Sequence, residues 1–302
     1  MPAPSGISVA KANFVEAGAH FSATGNNIIS GDQKNAYDDY EPASGPMATD
    51  TALNYDLNAV LKGRLAVPRV ALASLPATLN PKLESQVRKT MFVKTVLPLV
   101  LQVNEQISED RVRLKKLAAL QKKGQHVAAL DRLWLAVLSE QYHVKRKNIR
   151  AILNHHDVVP PSLALAQAAI ESAWGSSRFV REGNAMFGEW TFTDRHLGLV
   201  PQSRDKGKTH RIRAFATLYD SIYSYAVNLN KHRAYQEYRA MRTAMRNAGQ
   251  TLDGLRLATT LHRYSQRGDA YVNDVQTIIS SNTLQALDSA ELSHEGDHDS
   301  AI

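Results

Sequence analysis

The chain has 302 residues, 43% apolar and 22% charged, the makeup of a folding globular protein and not of a collagen-like, mucin-like or wholly disordered one. It has no cysteine, which removes disulfides, thiolate metal centres, iron–sulfur clusters and cysteine nucleophiles together. The net charge of +7 is unevenly spread: residues 1–60 carry two lysines against seven acids, 286–302 carry five acids and no Lys or Arg, and 61–285 carry 34 basic against 17 acidic side chains. Such a region attracts polyanions, whether nucleic acid, anionic lipid or an acidic wall polymer, and charge alone does not choose among them.

Residues 1–60 mix Gly, Ser, Asn, Asp and Pro with few periodic apolar positions, so a poorly ordered N-terminal region is expected there. Its first residues lack the basic start and apolar run of a secretory signal. Helical periodicity begins at Glu84 and runs through Val87, Met91, Val100, Val103, Ile107 and Val112, with Pro98 expected to kink or divide it. The apolar stretch Met91–Val103 is 13 residues long and contains Lys94, short of the roughly 20 that a membrane span needs. Lys122-Lys123-Gly124 is a helix stop. A second arm carries a wide apolar stripe over Val127, Leu130, Leu133, Trp134, Val137, Leu138 and Tyr142, and a short helix around Ile149 and Ile152 ends at Val158-Val159-Pro160-Pro161. The spacing predicts a helix over Ser162–Trp174 stopped by Gly175, a short β-hairpin within 187–216, and helices after Asp220, over Leu252–Leu261 and over Tyr271–Ile279. The expected division is 1–60 poorly ordered, 61–149 a helical segment packed on the next unit, 150–285 the main domain, and 286–302 a disordered acidic tail.

The most informative stretch is PPSLALAQAAIESAWGSSRFVREGNAMFGEW, residues 160–190, where Glu171 is the sole carboxylate of a helix of small apolar residues. Gln167, Ile170 and Trp174 share its face. An apolar, aromatic setting raises a carboxyl's pKa, and a carboxyl protonated near neutral pH can donate to a leaving oxygen, the general-acid role in glycoside cleavage. The plain alternative is a helix glutamate facing water.

The segments AQAAIESAWGSSRF and GNAMFGEW closely resemble the ALESGWG…NNLFG signature of family 73 glycoside hydrolases, the endo-β-N-acetylglucosaminidases of bacterial cell walls. LVPQSR, FATLYDSIYSYAVNLNKHRAYQEYR and YSQRGDAYVNDVQTIISSN are similar to the Bax-type branch, so the resemblance covers roughly residues 84–285. It implies a mainly α, lysozyme-like catalytic domain with a small β-hairpin lobe flanking a glycan cleft, and it implies peptidoglycan as the partner. Glu171 matches the family's catalytic acid. Tyr264 matches the tyrosine of the YATDPxY-like segment near that acid, and Trp190 is an aromatic after the LFG-like turn; a buried core position is the competing reading for both. Trp174, Asn184, Phe187 and Trp190 are the candidate substrate-binding residues.

Relatives of this branch often carry an acid where this chain has Arg211, and a cysteine pair near the hairpin where this chain has Thr191 and His196-Leu197. The second carboxylate is thus open among Glu189, Asp194 and Asp205, while Asp220 is read as a helix cap. Self-assistance by the substrate's own N-acetyl group, or intramolecular closure of muramic acid, needs no second carboxylate, and the expectation leans to such self-assistance or to a loosely placed hairpin acid, because an arginine there would lower the pKa of a nearby acid. His155-His156-Asp157 and the tail residues His294, Glu295, Asp297, His298 and Asp299 contain metal-ligand types, yet neither group is preorganised, so no metal and no cofactor is expected. The basic runs KKLAALQKKG and VKRKNIR lack aromatic interleaving, and no nucleic acid is expected. The reading is a peptidoglycan hydrolase cutting the β-1,4 bond after N-acetylglucosamine. The alternatives are a muramidase or lytic transglycosylase, or a non-catalytic peptidoglycan-binding protein. The expected location is the periplasm or cell envelope with the export segment outside this chain, or delivery as a secreted effector or phage lysin; oligomeric state is not legible.

Overall fold

The computed structural model describes residues 53–146, 148–191, 198–201 and 211–293. Ordered structure begins within the stretch expected to be weak. Helix α1, Leu57–Leu61, is capped by the Asp56 carboxylate, which accepts from the amides of Asn58 and Ala59, and Val60 is buried in the main core. A local cap and one buried anchor make this short helix worth forming.

Helix α2, Ser85–Lys122, is a single helix of 38 residues, about 57 Å long at 1.5 Å per residue. Glu84 caps it by accepting from the amides of Gln86 and Val87, and Lys123 and left-handed Gly124 end it where the stop signal predicts. Pro98 lies inside it without dividing it. A proline leaves the carbonyl four residues back without its amide donor. Here that carbonyl belongs to Lys94, and the Tyr55 hydroxyl donates to it at 3.2 Å while the Lys94 ammonium lies 5.1 Å from the Tyr55 ring centre. The break expected at Pro98 is thus mended by a residue about 40 positions upstream.

Two cores share α2. Its Phe92-to-Ile107 part belongs to the main cluster, in one continuous set with residues from 159 to 287. Its end, Leu114 and Leu117, joins α3 (Ala129–Gln141) and α4 (Ile149–His155) in a smaller cluster with Leu135, Leu138, Tyr142, Ile149 and Ile152. The apolar stripe expected on α3 is narrower than its sequence: Leu130, Leu133 and Val137 are 78%, 65% and 52% exposed, because α3 packs on one side only.

At the centre of the body lies α5, Pro161–Ser172, against α2, α9 (Gly254–Ala258), α10 (Asp269–Ser281) and a 3-10 segment at Leu284–Ser289. The double proline starts it, with Pro161 in the first turn, where a missing amide costs nothing. Asn104 of α2 grips the connection by donating to the Val159 carbonyl at 2.7 Å and accepting from its amide at 3.1 Å. Small side chains let neighbours approach: a Cβ on Gly254 would collide with Ser162. Asp288 fastens this contact, accepting from the Ser162 amide and hydroxyl and from the Gly254 amide at 2.8, 2.9 and 2.8 Å. The tail expected to be disordered from 286 is therefore packed as far as Ser293: Leu284 and Leu287 are buried and Leu292 bridges Val67. His294, Glu295, Asp297, His298 and Asp299 lie outside the described residues.

The lobe follows α6, Arg178–Gly183, and consists of β1 (Trp190–Thr191), β2 (Gly198–Leu199) and β3 (Arg211–Arg213). It is more than a hairpin: β3 lies between the other two, antiparallel to both, with Ile212 opposite Trp190 on one side and Leu199 on the other. Helix α7, Leu218–Lys231, returns the chain to the body and opens with a reciprocal cap, Thr217 accepting from the Asp220 amide and Asp220 from the Thr217 amide. Asp220 is a cap at the third helical position. Helix α8, Gln236–Asn247, follows a 3-10 turn at Arg233–Tyr235. The mainly α architecture with a small antiparallel lobe is the lysozyme-like class expected.

Candidate active site

Glu171 occupies the last turn of α5, a helix whose residues 161–169 are all buried, so the carboxylate emerges from the centre of the core. The chain then makes three consecutive left-handed residues, Ala173, Trp174 and Gly175, at φ 50°, 56° and 78°. Only the third is glycine, and there a Cβ would also crowd Leu79, Leu75 and Phe92. Left-handed backbone at two residues with side chains is strain held by its surroundings. The Ser172 hydroxyl helps hold it by donating to the Ala168 carbonyl and accepting from the Gly175 amide. Burial pushes the Glu171 carboxyl up from 4.5 to about 7, against the smaller opposing effects of the Tyr271 hydroxyl and the Arg267 charge. The C-terminal end of a helix also disfavours negative charge.

A directed chain of hydrogen bonds ends on this acid. Tyr225 donates to Gln167 Oε1 at 2.7 Å, Gln167 Nε2 donates to the Tyr271 oxygen at 2.9 Å, and Tyr271 donates to Glu171 Oε1 at 3.0 Å. Each group donates forward once, a polarised arrangement that fixes the amide orientation of Gln167 and reserves Oε1 as an acceptor. The acid's proton is then carried on Oε2.

The tyrosine whose hydroxyl donates to the acid is Tyr271. Tyr264 is 1% exposed and stacks on Tyr271, centroids 5.3 Å apart, so it backs the functional ring from the core side. YSQRGDAY has a tyrosine at each end, and the residue that reaches the acid is the one opening α10. Phe187 is likewise a core residue, 1% exposed and stacked 3.8 Å from Tyr225, the first member of the chain. Asn184 ends α6 in the left-handed region and donates to the carbonyls of Phe215 and Ala216 at 3.2 and 3.0 Å, which ties the lobe's two ends together. Trp174 packs edge-on against Phe92 with the Lys89 ammonium 5.3 Å from its ring, a contact with α2. Trp190 is half-buried on β1. Phe187 and Asn184, two of the residues expected to bind substrate, are both buried.

Glu189 is the candidate second carboxylate that the described residues contain; Asp194 and Asp205 lie outside them. It precedes β1, and its side chain is 14% exposed. Oε2 accepts from the Ser224 hydroxyl at 2.9 Å and lies 3.6 Å from the Arg213 guanidinium, which itself donates to Ser224 at 3.0 Å. Oε1 is buried with no hydrogen-bond partner among the described residues. Burial drives Glu189 to about 7, with Ser224 and Arg213 opposing. An arginine was expected to make a lobe acid a weaker base, yet the one that meets Glu189 is Arg213, and burial outweighs it. Arg211 stands opposite Thr191 in the sheet.

The two carboxylates are joined through α7. Ser224 holds Glu189 and the next residue, Tyr225, starts the chain to Glu171. Both acids also act on the buried Tyr235 hydroxyl, whose pKa burial raises far above its ordinary value. Ser224, Tyr225 and Tyr271 were not singled out from the sequence, where they read as ordinary helix positions. His155, His156 and Asp157 serve a different structure. His156 sits between Tyr142 and Asp110 at 2.7 and 3.0 Å, and Asp157 faces Arg111, Arg242 and Arg246. Burial pushes Asp157 up, but the three guanidiniums win and hold it below the usual carboxylate range.

Residues 146–284 match the family model described as glucosaminidase, mannosyl-glycoprotein endo-beta-N-acetylglucosaminidase. The chain is 31% identical over 192 residues to Protein bax of Escherichia coli (strain K12), covering 62% of this chain and 66% of that one. It is 27% identical over 133 residues to exo-glucosaminidase LytG of Bacillus subtilis (strain 168), covering 39% of this chain and 42% of that one. It thus spans less than two thirds of the length of either relative, and no solved structure matches it. The match bounded at 146 and 284 takes in Glu171, Glu189, Ser224, Tyr225 and Tyr271 together, so the whole candidate site lies in the part of the chain that is similar to the glucosaminidase family.

Proposed function

We propose that the protein is a peptidoglycan hydrolase of the Bax-type branch that cleaves the β-1,4 bond after N-acetylglucosamine within the glycan strand, acting in the cell envelope. The observation that carries this reading is Glu171: a carboxyl raised to about 7 by burial, oriented by Tyr271, inside the region that matches the glucosaminidase family model. With one oxygen held by Tyr271, the other presents its proton to the glycosidic oxygen as the bond to the anomeric carbon breaks. The excess of 34 basic over 17 acidic side chains in 61–285 draws in the anionic polymer.

Glu189 is the proposed second carboxylate. Its buried Oε1 has no hydrogen-bond partner among the described residues, an acceptor left open in the protein, while Ser224 and Arg213 hold Oε2 still. Of the two routes in that expectation, self-assistance and a hairpin acid, this reading takes the hairpin acid, since a lobe carboxyl with a pKa of about 7 is basic enough to take a water's proton. The test is digestion of purified murein. Glu171→Gln is expected to keep its fold and glycan binding and lose about 10² to 10⁴-fold in turnover. Glu189→Gln is expected to lose hydrolysis to a similar extent if the lobe acid activates water. New N-acetylglucosamine reducing ends inside long strands support endo cleavage, whereas products released from strand ends alone, or anhydromuramic ends, would replace this reading with an exo-acting enzyme or a transglycosylase. Near wild-type turnover in Glu171→Gln removes the mechanism altogether.

A further inference from the structure

A cavity of about 1160 Å³ opens on a different part of the domain, between the α3–α4 turn, α4, the end of α7 and α8. Its lining includes three cations, Lys231, Arg233 and Arg239, and three imidazoles, His143, His155 and His232, and it includes no aspartate or glutamate. Among the described residues no carboxylate pairs with Lys231, Arg233 or Arg239. Arg239 is 9% exposed, and its Nη1 donates to the carbonyls of Leu229 and His232 at 3.0 and 2.9 Å, so a nearly buried guanidinium is fixed in the wall by neutral acceptors only.

A concentration of positive charge in a concave, partly dry site is costly unless an anion completes it. One imidazole adds a directed donor. His232 Nδ1 accepts from the Ala234 amide, which leaves its Nε2 as the donor, whereas the His155 Nδ1 hydrogen is spent on the Asn230 carbonyl and its Nε2 is an acceptor in the neutral ring. Burial, with Arg233 and Arg239 beside them, holds His232 below the ordinary histidine range, and burial with Arg239 and Arg242 does the same to His155. The volume far exceeds a single oxyanion and suits a ligand of several residues. Asn154, Asn228 and Gln236 supply the amide groups that pair with a peptide backbone.

We propose that this cavity binds an acidic peptide, its carboxylates meeting Lys231, Arg233 and Arg239. Identifying that peptide with the stem peptides of the wall polymer rests on the function proposed above; the cavity's charge and shape do not. In that setting the site would hold the substrate by its peptides away from the bond being cut.

The test uses fluorescence anisotropy with a labelled stem tripeptide, freed of sugar and bearing its free carboxylates, and the same peptide with every carboxylate converted to amide. The full chain is expected to bind the acid form at least tenfold more tightly than the amide form. The double variant Lys231→Gln, Arg233→Gln, which changes a half-exposed and an exposed side chain, is expected to lose most of that preference for the acid form, with melting temperature and cleavage of peptide-free glycan unchanged. Equal affinity for the two peptides in the unaltered protein overturns the proposal without reference to any variant. So does full acid-peptide affinity in the double variant, or displacement of the peptide by inorganic phosphate at the same concentration, which would make this a simple oxyanion site. Because binding is read without bond cleavage, a chain that binds the peptide but leaves murein intact counts against the proposed hydrolase alone.

Discussion

Glu171 and Glu189 are displaced upward for the same reason, burial, and the groups around them differ. Glu171 has one oxygen committed to Tyr271 and lies in the body, while Glu189 has one oxygen committed to Ser224 and lies at the root of the lobe. An acid and a base that both titrate at about 7 give a narrow bell-shaped dependence of kcat/KM on pH centred near neutrality, because one must be protonated while the other is ionised. Tyr271→Phe removes a donor that lowers the pKa of Glu171. The descending alkaline limb of that bell should then move up by roughly one pH unit, the equivalent of about 1.4 kcal/mol of lost hydrogen bonding. A pH–rate profile that keeps its alkaline limb in place would mean that Tyr271 does not bear on the acid.

Among the elements, α2 is the one whose survival needs help from elsewhere. Tyr55 supplies the donor that Pro98 withholds from the Lys94 carbonyl. Tyr55→Phe should therefore cost about 1–2 kcal/mol, measured by urea unfolding, through an orphaned carbonyl. With alanine in place of Pro98 the helix can satisfy that carbonyl itself, so the same Tyr55→Phe change should cost less than half as much. Equal penalties in the two backgrounds would show that Tyr55 acts by packing alone. The element also explains why 61–149 cannot be separated from the residues after it: Phe92 through Ile107 supply one wall of the core that surrounds α5.

For the whole molecule, the proposed catalytic carboxyls work against stability. A group whose pKa rises from 4.5 to about 7 on folding leaves the folded state holding more protons than the unfolded state across that interval. Stability must then fall as pH rises from about 4.5 through 7 and level off above it. Asp157 has the opposite sign, because its pKa is held below 3.8; its contribution is present at neutral pH and is lost as acid protonates it. Replacing Glu171 and Glu189 together by glutamine should flatten the decline between pH 5 and 8 by an amount on the order of 1–3 kcal/mol per site, read by denaturant unfolding at each pH. Asp288 tests the packing of the C-terminal segment. Asp288→Ala leaves the amides of Ser162 and Gly254 without their acceptor and should cost about 2–3 kcal/mol, and a chain ending at 285 should lose at least as much; an unchanged midpoint would return that segment to the tail first expected.

Local pattern carried much of this protein. The apolar helix periods, the Lys122-Lys123-Gly124 stop, the double proline ahead of α5 and the lone Glu171 in its small-residue helix are all properties of a few adjacent residues, and adjacent residues are what a sequence displays. Glu171 and Gln167, four apart on one helix, were legible as neighbours for the same reason. What bonds them to each other was not: Tyr271 is 100 residues from the acid and Tyr225 is 58 residues from Gln167, separations at which no local rule acts. The motif singled out Tyr264, Phe187 and Asn184, and it was packing that decided how deeply each is buried. The same holds for Pro98, where the local rule foresees a break and a distant hydroxyl prevents one. The pKa values of Glu171 and Glu189 belong to tertiary structure in the fullest sense, because burial is the sum of everything folded around a group.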